Sequence, residues 1–161
     1  MQCLNYIRID ERLIHGQVLI KWLNEKESRE IVVIDDMLRE NPILKRVMEK
    51  SLPENCRMET FRNEEGAEYL KDLLPEREPF ILARDIGDVM RLEKAGIRFQ
   101  EINVARMPYL AGKEKICDKV YMNSYEKELI RHFLSEGSSV YIQMVPDSER
   151  VLMKDLPGFQ L

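Results

Sequence analysis

The run Glu30-Ile-Val-Val-Ile34 most constrains the fold. Four consecutive β-branched residues without polar alternation read as a strand buried on both faces, the kind found in parallel sheets covered by helices. Asp35-Asp36 ends it. The rest of the chain repeats the unit. Leu4–Asp10, Arg57–Phe61, Pro79–Ala83, Phe99–Val104, Val120–Met122 and Ser139–Val145 read as strands. Gln17–Glu25, Met37–Lys50, Asn63–Leu74 (with Asn63 as cap), Ile86–Ala95 and Ser124–Glu136 carry helical spacing. Ala105–Asp118 reads as a polar, irregular loop, long enough to suggest a functional role. Strands alternating with helices predict an α/β fold: one open, doubly wound, mainly parallel sheet with helices on both faces, as a single domain over 1–161. Such sheets bind ligands at the carboxyl ends of their strands.

Composition narrows the function classes. A net charge of −4 with no basic block argues against nucleic acid as a partner. No apolar run approaches the roughly 20 residues that span a bilayer. The start, Met-Gln-Cys-Leu-Asn-Tyr, lacks signal-peptide character, so the expected location is the cytoplasm. Cys3, Cys56 and Cys117 are widely spaced and read as reduced thiols rather than metal ligands or disulfides. There is no Walker or dinucleotide glycine loop, no Gly-x-Ser-x-Gly elbow and no metal-ligand spacing.

Chemistry concentrates in Arg8-Ile-Asp-Glu-Arg-Leu-Ile-His-Gly-Gln-Val18, where the first strand meets the first helix. Period-two spacing puts Arg8, Asp10 and Arg12 on one side while the chain stays extended. Charges at the end of a central strand are costly unless paired or used. His15-Gly16 follows just where a helix opens at Gln17, and helix N-termini attract anions through free N–H groups. A neutral imidazole accepts a phosphoryl group and passes it on, a form of covalent catalysis. Arg12 and the amides of Gly16 and Gln17 are suited to hold the transferring charge, and Arg8 is placed to add to it. Asp10 either orients the ring or holds Arg12. A lone histidine that merely caps a helix is the bland alternative, and the flanking charges weigh against it.

Other strand ends supply a pocket rim: Asp35, Arg84, Arg106 and Lys113. Asp35-Asp36 suits turn or cap chemistry better than a metal. Arg84-Asp85 has the spacing of a local ion pair. His132, inside Glu-Leu-Ile-Arg-His-Phe-Leu, reads as structural.

The Arg8–Val18 stretch resembles the active-site signature of the IIB component of the mannose/fructose/sorbose-type sugar phosphotransferase system. Ile31–Asp36, Asn103-Val104 with Met107 and Gly112-Lys113, and Tyr141–Asp147 resemble its further motifs, so the likeness runs the length of the chain. The resemblance implies that His15 takes a phosphoryl group, on Nδ1, from the phosphohistidine of a IIA partner. The group would then pass to a sugar held by membrane IIC/IID components. Arg12 and Asp10 match the family's adjacent arginine and aspartate. The resemblance implies no metal or organic cofactor, and membrane association would come through partner proteins. A diverged regulatory phosphoprotein that signals sugar supply is the alternative, and a nucleotide-binding module of similar shape rests on fold analogy alone. Two departures stand out. Ala105-Arg106 replaces the family's glycine pair, which predicts altered partner or sugar specificity. Ile34 also differs from the family's residue.

Overall fold

The computed structural model describes residues 1–161. Its strands and helices follow the alternation in the sequence. They are β1 (Gln2–Asp10), α1 (Gly16–Glu25), β2 (Glu30–Ile34), α2 (Asp36–Arg39), α3 (Pro42–Lys50), β3 (Arg57–Phe61), α4 (Asn63–Lys71), β4 (Phe80–Ala83) and α5 (Ile86–Lys94). Then come β5 (Ile97–Arg106), β6 (Glu114–Cys117), β7 (Val120–Met122), α6 (Ser124–Ser135), β8 (Ser139–Ile142) and β9 (Val151–Leu152).

Seven strands form one sheet in the order β3-β2-β4-β1-β5-β8-β9, parallel except for β9. From β1 the chain winds outward to β2 and β3, returns to insert β4, then crosses to β5 and β8. Right-handed crossovers in opposite directions put the helices on opposite faces. The larger core, 27 buried residues, packs α4, α5 and α6 against side chains such as Ile9, Val32, Ile34 and Val104. The smaller, 12 residues, packs Leu19, Trp22 and Leu23 of α1 onto Tyr6, Ile31, Val33 and Leu82. The reversal of winding places the carboxyl ends of β1, β2, β4 and β5 along one edge, the position where open α/β sheets bind ligands.

Three local expectations change. Met37–Lys50 is two helices, because Pro42 lacks an N–H and disfavours helical geometry at the residue before it. Asp35 caps α2 by accepting from Leu38 N (2.8 Å), and Asn41 caps α3 by accepting from Leu44 N (3.0 Å). α3 has no fully buried residue: Ile43 and Val47 are exposed, and Met48 packs partly buried against the smaller core. Second, Ala105–Asp118 is not an irregular loop throughout. Pairing with β1 carries β5 to Arg106, and β6 pairs antiparallel with β7. Third, Asn63 starts α4 rather than capping it. Its backbone N–H donates to Asp36 Oδ1 (3.1 Å) and its side-chain amide donates to Asp88 (2.9 Å).

Candidate active site

Asp10, the last residue of β1, is 1% exposed. A buried carboxylate needs donors, and Arg12 supplies them. Asp10 Oδ1 accepts from Arg12 N (3.0 Å) and Nε (3.2 Å), and Oδ2 accepts from Nη2 (3.2 Å). Of the two roles open to Asp10 from sequence, it takes that of holding Arg12. The Arg12 side chain keeps 26% of its surface exposed. Its remaining polar contact is a long one from Nη2 to Met144 Sδ (3.9 Å), which leaves Nη1 without a partner.

The chain then turns sharply. Leu13 N donates to Asp10 O (2.9 Å), and Leu13 adopts φ +54° while its side chain is buried in the smaller core. A left-handed leucine is strained by about 1–2 kcal/mol and persists only where its surroundings fix it. The fixing groups here are the Leu13 anchor and the contacts on Glu11. Glu11 O accepts from Arg84 Nη1 (2.9 Å), and Glu11 Oε1 accepts from Arg106 Nε (2.5 Å). His15 follows as the N-cap of α1, with φ −134° and ψ 81°, and Gly16 opens the helix at φ +39°. The imidazole of His15 is exposed and makes no hydrogen bond, and its side chain does not cap the helix. The backbone N–H groups of Gly16, Gln17 and Val18 have no protein acceptor, since the first amide to find one is Leu19 N on His15 O (3.4 Å). A free imidazole, three free amides and a free guanidinium nitrogen thus lie within a seven-residue stretch, ready for an anion.

The phosphate-binding role expected of Arg8 is corrected by its burial. Arg8 is 2% exposed. It donates to Gln143 O (3.1 Å), to Met144 O (2.8 Å) and to Asn103 Oδ1, and its guanidinium lies 5.1 Å from the Trp22 ring centroid. Burial lowers its pKa from the ordinary arginine value, with Tyr6 and Asp10 opposing. Arg8 therefore ties β1 to the segment after β8, beneath Asp10 at 3.8 Å. Trp22 Nε1 donates to the same Met144 carbonyl (2.9 Å), fixing α1 to that segment. Asn103 joins the group by accepting from Tyr6 Oη (3.2 Å) and donating to Gln143 O (3.1 Å). Burial raises the pKa of the Tyr6 hydroxyl, so it stays a donor.

The rim residues divide. Arg84 is paired with Asp35, not with Asp85: Nε and Nη2 reach the two carboxylate oxygens at 2.8 and 2.9 Å. This fork raises the Arg84 pKa, with burial opposing. Asp85 instead caps α5 through Asp88 N (3.1 Å). Asp35, Arg84 and Arg106 all reach the edge that carries His15, where they brace the loop. Lys113 does not join them. It lies 2.7 Å from Glu126, both side chains nearly buried, and pins the β6 end to α6. Sequence reasoning missed Glu11, Trp22 and Met144 as contributors. Glu11 lay inside the signature stretch, but its contacts come from residues more than 70 positions away. A cavity of about 670 Å³ is at the opposite end of the sheet, lined by Leu4, Tyr6, Lys26, Arg77, Glu78 and Glu101 among others. His15 stands on an open surface rather than in that cavity, a setting that admits a docking protein.

Comparison with known proteins agrees with this geometry. The family model described as the PTS system sorbose subfamily IIB component matches residues 4–160. The N-acetylgalactosamine-specific phosphotransferase enzyme IIB component 1 of Escherichia coli (strain K12) is 28% identical over 149 residues, covering 92% of this chain and 94% of the relative. A crystal structure of a PTS system N-acetylgalactosamine-specific IIB component 1 from Escherichia coli superimposes with a TM-score of 0.86 at 28% identity, covering 93% of this chain and 98% of the other. The IIBSor domain of the sorbose permease from Klebsiella pneumoniae shares the fold, with a TM-score of 0.85 at 21% identity over 96% and 95% of the two chains.

Proposed function

The chain belongs to the sorbose subfamily of IIB components of the phosphotransferase system, and from that premise we propose that His15 is its transient phosphoryl carrier. The chain is a phosphotransferase component of a sugar-uptake system. The proposal concerns which atoms do the work and with whom. The observation that carries it is the free, exposed His15 imidazole beside three unpartnered amides and the open Nη1 of Arg12.

In the first half-reaction a ring nitrogen of His15 attacks the phosphorus of a phosphohistidine on a IIA donor. A new N–P bond forms, the donor's N–P bond breaks, and its imidazole leaves with the electron pair. In the second, a sugar hydroxyl bound by the membrane IIC/IID components attacks the phosphorus. The His15 N–P bond breaks, its imidazole leaves with the electron pair, and the hydroxyl proton passes to that imidazole or to solvent as the sugar phosphate forms. Arg12 and the Gly16–Val18 amides hold the equatorial oxygens in both steps, where fixed donors act on developing charge. Asp10 keeps Arg12 aimed, and Arg8 keeps Asp10 in place. Partners that must dock and leave twice per turnover favour small, polar-rimmed contacts around an exposed histidine.

No helix is long and apolar enough to cross a membrane. The reading places the chain, as one unit over 1–161, on the cytoplasmic side and at the membrane only through its partners. No observation favours the regulatory alternative.

The test is a chase. Protein phosphorylated by its donor is mixed with vesicles carrying the IIC/IID components and the sugar. Loss of phosphate from the protein with matching sugar phosphate is expected. Phosphate that stays on the protein with every sugar and permease tried would contradict the carrier role.

A further inference from the structure

A β-bulge re-aims one side chain beside the site. Along β1 and β5, Ile9 pairs with Val104, but the next pair is Asp10 with Arg106. Ala105 is therefore the extra residue, and it is 1% exposed. Bulges bend a strand locally and redirect the side chains that follow. Here the bulge turns Arg106 onto Glu11, with Nε 2.5 Å from Oε1 and both side chains about one-third exposed. These are the positions, Ala105-Arg106, at which the sequence departs from the glycine pair of the family it resembles. A glycine in place of Arg106 would leave Glu11 with no partner for its side chain.

Two other acids at this edge are matched. Asp10 is held by Arg12, and Asp35 by Arg84. Glu11 is the third, four residues from His15, and Arg106 is its match. Unpaired, its carboxylate would stand beside the path of an incoming phosphoryl group carrying about two negative charges. It would also be free to compete for the guanidinium of Arg12, the next residue in the chain. Like charges brought together slow association and are screened by salt.

We propose that Arg106 is a positioning residue that acts through Glu11, neutralising and tethering that carboxylate so that a phosphorylated donor can reach His15. The inference rests on the carrier reading above and goes beyond it in naming a charge-masking pair beside the site.

The experiment measures the initial rate of phosphate transfer from a phosphorylated IIA donor at low and high ionic strength, with thermal melting to confirm folding. Arg106→Ala lowers the low-salt rate about 5- to 10-fold, and added salt narrows the gap. Arg106→Lys, which keeps the charge, holds at least about half the rate. The decisive variant is Arg106→Ala with Glu11→Gln, in which Arg84 still holds the loop through Glu11 O; with the carboxylate that needed masking gone, the rate recovers most of what Arg106→Ala loses. A double variant as slow as Arg106→Ala would overturn the proposal and assign Arg106 a direct contact with the phosphoryl group or the donor. Arg106→Ala indistinguishable from wild type at low salt would overturn it too. In both cases wild type still takes up phosphate. A wild type that takes up none would remove the carrier reading, a separate failure.

Discussion

His15 and His132 are the chain's two histidines, and both rings reach solvent, yet only one is free to react. His132 lies inside α6 with Nε2 2.5 Å from Glu93 Oε2, its ring edge-on to Phe133 at 5.5 Å. Glu93 is also 3.5 Å from Arg98, so the histidine belongs to an ion-pair group joining α5 to α6. His15 has no such partner. It stands at a strand-to-helix corner where the donors nearby, three amides and one guanidinium nitrogen, are also unpartnered. Solvent exposure alone does not separate the two. The separation lies in what each ring and its neighbours have left to offer an anion.

The largest effect that would break this contrast is expected at the rings themselves. His15→Ala should abolish phosphate uptake, while His132→Ala should leave it at the wild-type level, measured with the same donor. Uptake lost in both would make the two histidines parts of one relay and end the comparison. Next comes the anion-binding half of the corner. Arg12→Ala should slow transfer about 10²- to 10³-fold, the scale of losing one fixed donor to a developing charge. Single-turnover kinetics would check it, and the corresponding Arg98→Ala beside His132 should have no effect on transfer. A smaller loss is expected from the brace. Arg84→Ala leaves Asp35 buried without its fork and frees Glu11 O. It should destabilise the fold by about 1–3 kcal/mol in urea titration, with transfer slowed about tenfold as the loop loosens. The smallest effect is structural: His132→Ala should cost no more than about 1 kcal/mol, because the side chain is 42% exposed and Glu93 keeps its pairing with Arg98.

Much of this was legible in the sequence because the signals were local. The run Ile31–Ile34 announced a doubly covered parallel strand, and His15-Gly16 after Arg12 announced an anion-binding corner. What stayed hidden was pairing at a distance. Arg84 finds Asp35, 49 positions away, although Asp85 is its neighbour. Arg8 points the same way as Asp10 along the strand, as period two requires, but its donors are taken by carbonyls after β8. No pattern within β1 could report that. The β6–β7 hairpin escaped because Glu114–Cys117 alternates too weakly to stand out from a polar loop. Pro42 did carry the signal for the break between α2 and α3, and the three-to-four spacing of Ile43, Leu44, Val47 and Met48 just after it outweighed that signal.

The central claim, that His15 carries the phosphoryl group, is tested most directly by intact mass. Wild type and His15→Ala are incubated with phosphoenolpyruvate, the general phosphotransferase proteins and a IIA donor, then weighed before and after brief acid treatment. The account predicts one acid-labile phosphate on wild type and none on the variant. The same phosphate persisting on His15→Ala would contradict it and move the chemistry to another residue.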